Sequence, residues 1–152
     1  MIMEATPLID KRDFLEEVKE RTSRIAHEAL RSLLNISKAR FRACHYGLSN
    51  SLMIPYASVE GFLIVARCAI ADVIFHNTYI FKKEAAVKAL LERHAELESH
   101  HEAIHLLKDS YNKYRNSGLI YPEDWESPSI DPSKLYKAVE SVMEVISQHA
   151  CT

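Results

Sequence analysis

The sequence has only three glycines among 152 residues, and this scarcity excludes several classes of fold and site. Glycine supplies the positive backbone angles of tight turns, so a β architecture with many turns is disfavoured. Phosphate-binding loops and nucleophile elbows need glycines at fixed spacings, and the patterns G-x-x-x-x-G-K-[ST], G-x-G-x-x-G and G-x-S-x-G do not occur. The composition therefore predicts an all-α protein without either of these devices.

Cysteine is equally scarce, and its pattern restricts the compartment. The three cysteines, Cys44, Cys68 and Cys151, are an odd number without C-x-x-C spacing. This argues against a disulfide framework and against a cysteine zinc site, so we predict a reducing, cytoplasmic location. The start of the chain lacks the basic residues and long apolar run of a secretory signal. A net charge of −2 gives no overall attraction to nucleic acid.

Charge is also rare in the stretch 56–81, where only Glu60, Arg67 and Asp72 carry a formal charge. A helix that is apolar on nearly every side must be surrounded by other elements. Arg67 and Asp72 near its middle would each cost about 3 kcal/mol in a bilayer, so we expect a buried helix and no membrane span. The sequence predicts one domain over 1–152, a compact bundle of four to six helices around this apolar central helix.

Several helix boundaries have recognisable signals. Glycine or asparagine favours the left-handed conformation that ends a helix, and small polar residues accept the first backbone N–H groups at its start. Proline is tolerated in the first turn. The predicted boundary residues are Gly47 at the end of the first helix, Ser99 and Glu102 as a capping box, Gly118 as a C-terminal cap, and Asp131 with Pro132 at the start of the last helix.

The central helix carries three costly polar residues, Arg67, Asp72 and His76. Cys68, Asp72 and His76 recur every fourth residue, so they lie on one face of a helix. Because three such residues span about 12 Å, they are too far apart to bind one zinc ion. Asp72 with His76 could form half of a metal site or an acid–base pair; alternatively, Asp72 and Arg67 are neutralised by partners on neighbouring helices.

A histidine cluster offers a second candidate metal site, in the string His101-Glu102-Ala103-Ile104-His105. This is an H-E-x-x-H pattern, in which both imidazoles share one helical face and the glutamate could polarise a zinc-bound water. No third ligand is recognisable downstream, and Glu102 is equally explained by the capping box. Zinc hydrolysis, adventitious metal binding and a solvated helix start all stay open; no other cofactor is expected.

Cations concentrate near the end of the first helix. They complement the negative end of the helix dipole, or they form an anion or RNA-phosphate patch in which aromatic residues interleave with cations. The cations are Lys38, Arg40, Arg42 and His45, and the aromatic residues are Phe41 and Tyr46.

The order of elements resembles the HEPN superfamily over most of the chain. An amphipathic first helix and an apolar central helix are followed by the string YNKYRN at 111–116, then YPEDW at 121–125 and a closing helix. The resemblance implies a bundle of four or five helices that is usually a homodimer. Many members are ribonucleases of toxin–antitoxin, abortive-infection or CRISPR systems, and others are non-catalytic.

The ribonuclease members use an arginine followed, after four to six residues, by a histidine. Arg115 with Asn116 begins this pattern, but Tyr121 stands nearest to the position of the histidine. The resemblance therefore implies a non-catalytic protein that binds a nucleotide, RNA or a protein. The bare spacing also occurs in three other pairs, of which the last two are the candidates for an alternative, metal-independent ribonuclease: Arg21 with His27, Arg40 with His45, and Arg93 with His100.

Overall fold

A computed structural model describes residues 12–49, 54–76, 78, 80–118 and 131–150. This part of the chain is all-α, as predicted, and consists of five α-helices and one 3₁₀ helix packed compactly. The elements are α1 (Arg12–Leu48), α2 (Ile54–Phe75), α3 (Lys83–Arg93), the 3₁₀ helix (Ala95–His100), α4 (His101–Ser117) and α5 (Pro132–Ala150).

The apolar stretch predicted as the central element forms α2, which packs against all four other α-helices. Most of its side chains are buried, and Phe62, Ile64 and Val65 are completely inaccessible to solvent. One stripe of the helix is less covered, since Tyr56 is exposed and Leu63, Arg67 and Ile70 are half-buried. Burying such side chains stabilises the fold by about 1.5–3 kcal/mol each. None of the described helices has a stretch long and apolar enough to cross a membrane.

Gly61 marks a point where three helices approach α2 closely. A Cβ atom at this position would lie 3.3 Å from a methyl of Leu107 in α4, 3.3 Å from a methyl of Val139 in α5 and 3.5 Å from the Sγ of Cys44 in α1. These distances leave little room for a side chain. The absence of a Cβ atom therefore allows α1, α4 and α5 to converge on one turn of α2.

Two predicted helix boundaries are confirmed. Gly118 ends α4 with a left-handed φ of 72°, and its N–H donates to the carbonyl of Tyr114. Asp131 precedes Pro132, the first residue of α5, and its Oδ1 accepts a hydrogen bond of 2.9 Å from the N–H of Ser133. Both follow from local chemistry, because a left-handed residue favours glycine and an open helix start needs an acceptor.

Two other predicted boundaries are wrong. Gly47 does not end α1, which continues to Leu48, and Gly118 is the one described glycine with a positive φ. The capping box of Ser99 and Glu102 does not form either. The residue before α4 is His100, which makes no side-chain cap, because the 3₁₀ helix continues directly into α4 and the His101 N–H donates to the Glu98 carbonyl.

Candidate functional site

The carboxylate of Asp72 is the centre of a polar cluster in the interior of the bundle. Its side chain is only 1% exposed, and it lies in the last turn of α2. Arg93 Nη1 donates to Oδ2 at 2.7 Å, and His94 Nε2 donates to Oδ1 at 2.9 Å. The expectation that neighbouring helices neutralise Asp72 is confirmed, since Arg93 ends α3 and His94 follows it directly.

His76 joins this cluster from just beyond the end of α2. Its Nδ1 lies 2.8 Å from the backbone carbonyl oxygen of Asp72 and 3.4 Å from Oδ1. A proton on Nδ1 that donates to this carbonyl makes Nε2 the basic nitrogen of the neutral ring. The side chains of His76 and Arg93 are 32% and 28% exposed. One buried carboxylate thus orients an imidazole and a guanidinium that both reach the surface.

Cys68, one turn before Asp72, takes no part in this cluster. Burial raises the pKa of its thiol to about 12, and the nearby Ser37 hydroxyl and the charge of Arg67 lower the pKa by less. At neutral pH the thiol is therefore protonated and is a poor metal ligand. Among the described residues, no group of three or more His, Cys, Asp or Glu side chains is arranged to hold a metal ion.

Arg67 is partnered differently from the prediction. Its Nη1 lies 3.8 Å from Oε1 of Glu60, which belongs to the same helix, and this buried nitrogen has no hydrogen-bond partner among the described residues. Glu60 also accepts a hydrogen bond of 2.9 Å from Arg40 of α1. The neighbouring helix therefore supplies a second cation to Glu60, and the partner of Arg67 comes from its own helix.

At the basic end of α1, several side chains of the candidate phosphate patch are engaged with other parts of the protein. Arg40 is paired with Glu60, and the ring of Phe41 stacks on Tyr136 of α5 at a centroid distance of 4.9 Å. The His45 ring also contacts Tyr136, at 4.3 Å. The candidate pair Arg40 and His45 is thus divided between Glu60 and Tyr136, while Lys38, Arg42 and Tyr46 are exposed.

The structure separates the histidine cluster. His94 is buried and faces Asp72, whereas His101 and His105 are exposed on α4. His105 has Asp109 as its acidic neighbour, at 3.8 Å. Because no third ligand joins His101 and His105 within the described residues, the zinc hydrolase would need a ligand from another part of the chain.

The candidate ribonuclease pair Arg93 and His100 is also divided. Arg93 donates to the carboxylate of Asp72 in the interior, and His100 is half-buried at the end of the 3₁₀ helix. The imidazole that shares the carboxylate with Arg93 belongs to His94. The spacing along the chain pairs Arg93 with His100, whereas in the folded protein the histidine that shares Asp72 with Arg93 is His94.

A second concave site lies where the start of α3 approaches the second half of α4. It is a pocket of about 500 Å³ whose walls include two aromatic residues, three cations and one acid. None of the three cations forms an ion pair with an acidic side chain in the described part of the chain. We call it the basic pocket, and it is lined by Phe81, Lys82, Lys83, Glu84, Ala85, Tyr111 and Arg115.

The resemblance to the HEPN superfamily pointed to Arg115, Asn116 and Tyr121. Arg115 lines the basic pocket, and Asn116, the next residue of α4, is exposed. Tyr121 lies outside the described residues. Sequence reasoning missed Lys82 and Lys83, although two adjacent lysines at the start of a helix without an N-terminal side-chain cap are a recognisable anion-binding signal.

The comparison of this chain with known protein families, curated proteins and solved structures gives no match. The geometry of the described residues therefore carries the functional conclusion.

Proposed function

We propose that the chain is a non-catalytic, HEPN-like binding protein whose basic pocket takes a phosphate-bearing ligand, either a nucleotide or RNA. The observation that supports this proposal is the convergence of Lys82, Lys83 and Arg115 on one concavity. Their positive charge is opposed only by Glu84 within the described lining of that pocket. A cytoplasmic location belongs to the proposal, because the described cysteines, Cys44 and Cys68, are both free thiols.

Electrostatics favour a phosphate in this position. Two unit charges about 4 Å apart interact by about 4 kcal/mol near a protein surface, before desolvation is subtracted. Arg115 can form two parallel hydrogen bonds with phosphate oxygens, and each lysine adds a flexible point charge. Lys82 makes no side-chain cap at the start of α3, so the first backbone N–H groups and the positive end of the helix dipole add to the attraction.

Aromatic walls favour a ligand that carries a base. Phe81 is exposed and Tyr111 is half-buried, and both belong to the lining. Stacking of a base on an aromatic side chain contributes about 1–3 kcal/mol. The volume of about 500 Å³ is within the range of small-ligand sites, which is about 300–1,000 Å³. The pocket can therefore hold a phosphate and its base together.

Binding measurements test this proposal. Fluorescence anisotropy with a labelled oligouridylate and calorimetry with ATP compare RNA with a free nucleotide, at about 50 mM and about 200 mM salt. We expect Lys83→Ala and Arg115→Ala each to weaken binding by about tenfold. Lys88→Ala is the matched control, because Lys88 is an exposed cation of α3 that pairs with Glu92 outside the basic pocket.

The two ligand sources give different results. RNA is the ligand if the oligouridylate binds with a steep salt dependence and ATP binds weakly; a nucleotide is the ligand if ATP binds tightly and the oligomer adds nothing. The proposal is wrong if neither probe binds at about 1 mM, the weak end of specific affinities. Equal losses in Lys88→Ala and Arg115→Ala would also contradict it, because they would indicate non-specific charge attraction.

A second candidate function, metal-independent RNA cleavage, is favoured by the orientation of His76 and Arg93 around Asp72. An imidazole and a guanidinium at one surface could transfer a proton and stabilise a charged phosphorane. Cleavage of RNA in the presence of EDTA by the wild type, lost in His76→Ala and Arg93→Lys but kept in His105→Ala, would establish this alternative. The absence of cleavage in the wild type would eliminate it.

A further inference from the structure

Two concave sites lie next to each other between α3 and α4. One is the basic pocket, and the other is an open groove of about 930 Å³, which we call the α3–α4 groove. Every described lining residue of this groove belongs to one of the two helices. Glu84 and Ala85, at the start of α3, line both sites. The pocket and the groove are therefore parts of one continuous crevice.

The packing of α3 and α4 keeps this crevice open along its length. Both helices pack on α2, but they do not pack closely on each other. The start of α3 faces the second half of α4 in the basic pocket, and the 3₁₀ helix joins the end of α3 to the start of α4. On α4, lining residues of both sites recur every three or four positions and share one face about 21 Å long: His101, His105, Lys108, Tyr111 and Arg115.

The α3–α4 groove offers an apolar surface. Val87 on α3 and Ile104 on α4 are buried and belong to the hydrophobic core. Leu91 and Leu106, one from each helix, are half-buried and pack against that core. The lining residues of α3 extend from position 84 to position 92, about 12 Å along the helix. The groove therefore suits an elongated apolar chain of medium length.

Charge distinguishes the two ends of the crevice. In the basic pocket, three cations face one acid, Glu84. In the α3–α4 groove, three acidic side chains outnumber the two lysines, Lys88 and Lys108, and the two histidines are exposed. A phosphate is therefore favoured in the basic pocket and an uncharged chain in the groove, because apolar surface gains by leaving water whereas an unpaired charge does not.

We propose that this crevice binds a phosphate ester that carries one apolar chain, with the phosphate in the basic pocket and the chain in the α3–α4 groove. The inference rests on the proposed function, because the phosphate occupies the same pocket. Phe81 and Tyr111 favour a nucleotide as the phosphate end, since a base can stack on them. Glu84, which lines both sites, can accept a hydrogen bond from a hydroxyl of the sugar. A lipid phosphate shares the phosphate and the chain but lacks the base.

Isothermal titration calorimetry with a series of AMP esters tests this inference. The methyl, hexyl, octyl and decyl esters carry the same charge and the same base, so only the length of the apolar chain differs. A fully buried methylene contributes about 0.8 kcal/mol, a factor of about four in affinity. We expect the octyl ester to bind the wild type at least about tenfold more tightly than the methyl ester.

Variants show where the chain lies. Leu91→Gln and Leu106→Gln should remove the gain from the octyl chain and leave binding of the methyl ester unchanged, because neither leucine lines the basic pocket. Ile36→Gln is the matched control and should keep the gain, since Ile36 is an exposed isoleucine of α1 outside the crevice. Arg115→Ala should weaken both esters by the same factor, about tenfold. Circular dichroism checks each fold, and a glutamine variant that unfolds is replaced by alanine at the same position.

The outcomes separate this inference from the phosphate site itself. If ATP or the oligouridylate binds but the alkyl chain adds no affinity, the inference is wrong and the phosphate site stands. A gain that persists in both leucine variants would also overturn it, because the chain would lie elsewhere. If octyl phosphate binds more tightly than methyl phosphate while ATP and the AMP esters do not bind, the ligand is a lipid phosphate and the proposal of a nucleotide or RNA fails. No binding of any probe at about 1 mM would overturn both.

Discussion

Arg93 Nη1 lies 2.7 Å from Asp72 Oδ2, and this hydrogen bond joins two residues that are 21 positions apart. It fixes the end of α3 to the last turn of the central helix. Because Arg93 is followed at once by His94, the same carboxylate also holds the extended residue between α3 and the 3₁₀ helix. One buried charge thus anchors the chain at the point where it leaves α3.

Replacing Asp72 with alanine should be strongly destabilising. The change leaves Arg93 without its anion and His94 without its acceptor in the interior. Removing one partner of a buried charged pair costs about 3–5 kcal/mol, and Arg93 can recover part of this because it is partly exposed. We expect a loss of about 3 kcal/mol in urea denaturation. Asp109→Ala, at a half-exposed aspartate of α4, should change the free energy of unfolding by less than about 0.5 kcal/mol.

Gly61→Val should also destabilise the protein, through packing. Even a single Cβ atom would lie 3.3 Å from Leu107 and Val139, and valine adds two further methyl groups in this space. Overpacking of a core costs about 1–3 kcal/mol. Thermal denaturation of Gly61→Val and Gly61→Ala measures this effect; equal stability of Gly61→Val and the wild type would show that α1, α4 and α5 can move apart.

Gly118→Ala tests the end of α4 separately from packing. Gly118 has a φ of 72°, and a Cβ atom there would meet no neighbour within 4 Å. The cost is therefore the backbone strain alone, about 1 kcal/mol. We expect Gly118→Asn to lose less, because asparagine tolerates the left-handed conformation. A neutral alanine variant would mean that α4 ends differently in solution.

The thiols of Cys44 and Cys68 should not react in the native protein. Burial is the main cause that raises the pKa of each to about 12; the charge of Glu60 adds to this for Cys44. At about pH 8 almost no thiolate exists at either site. Titration with a disulfide reagent should therefore detect two more thiols after denaturation than before. Rapid modification of both in the folded state would contradict their burial.

Alkaline pH should destabilise the fold through the same two groups. A cysteine in the unfolded chain ionises near its ordinary pKa of 9.0, whereas burial raises the pKa of each folded thiol to about 12. The folded state therefore binds more protons in this window, and the stabilisation is present below about pH 9 and is lost as pH rises toward 12. The slope is about 1.4 kcal/mol per pH unit for each thiol. Urea denaturation at several pH values should show a smaller slope in Cys68→Ala.

Local signals in the sequence predicted those features that depend on neighbouring residues alone. The nearly uncharged stretch 56–81 identified the central helix, because only a surrounded helix tolerates apolar residues on every side. Gly118 and the pair Asp131 and Pro132 identified two boundaries through backbone chemistry. Gly47 carried the same signal as Gly118 but lies inside α1, because a glycine permits a left-handed residue without requiring it.

The candidate sites depend on contacts between distant parts of the chain, and there the sequence was less informative. Asp72 and His76 were identifiable as costly residues, but Arg93 and His94 were not identifiable as their partners. Helical periodicity predicted one helical face for His101 and His105, but it did not predict that the extended residue His94 interrupts the helix and directs its ring inward. Lys82, Lys83 and Arg115 meet only because α3 and α4 pack on the same central helix.

The sequence by itself determined the all-α class, the apolar central helix, the end of α4 and the start of α5, because composition and local backbone chemistry decide these features. Only the tertiary structure decided which charges meet: Asp72 with Arg93 and His94, Glu60 with Arg40 and Arg67, and three cations in one pocket. The physical reason is that pairing of buried or convergent charges depends on the distances between helices, and no pattern along a single helix contains those distances.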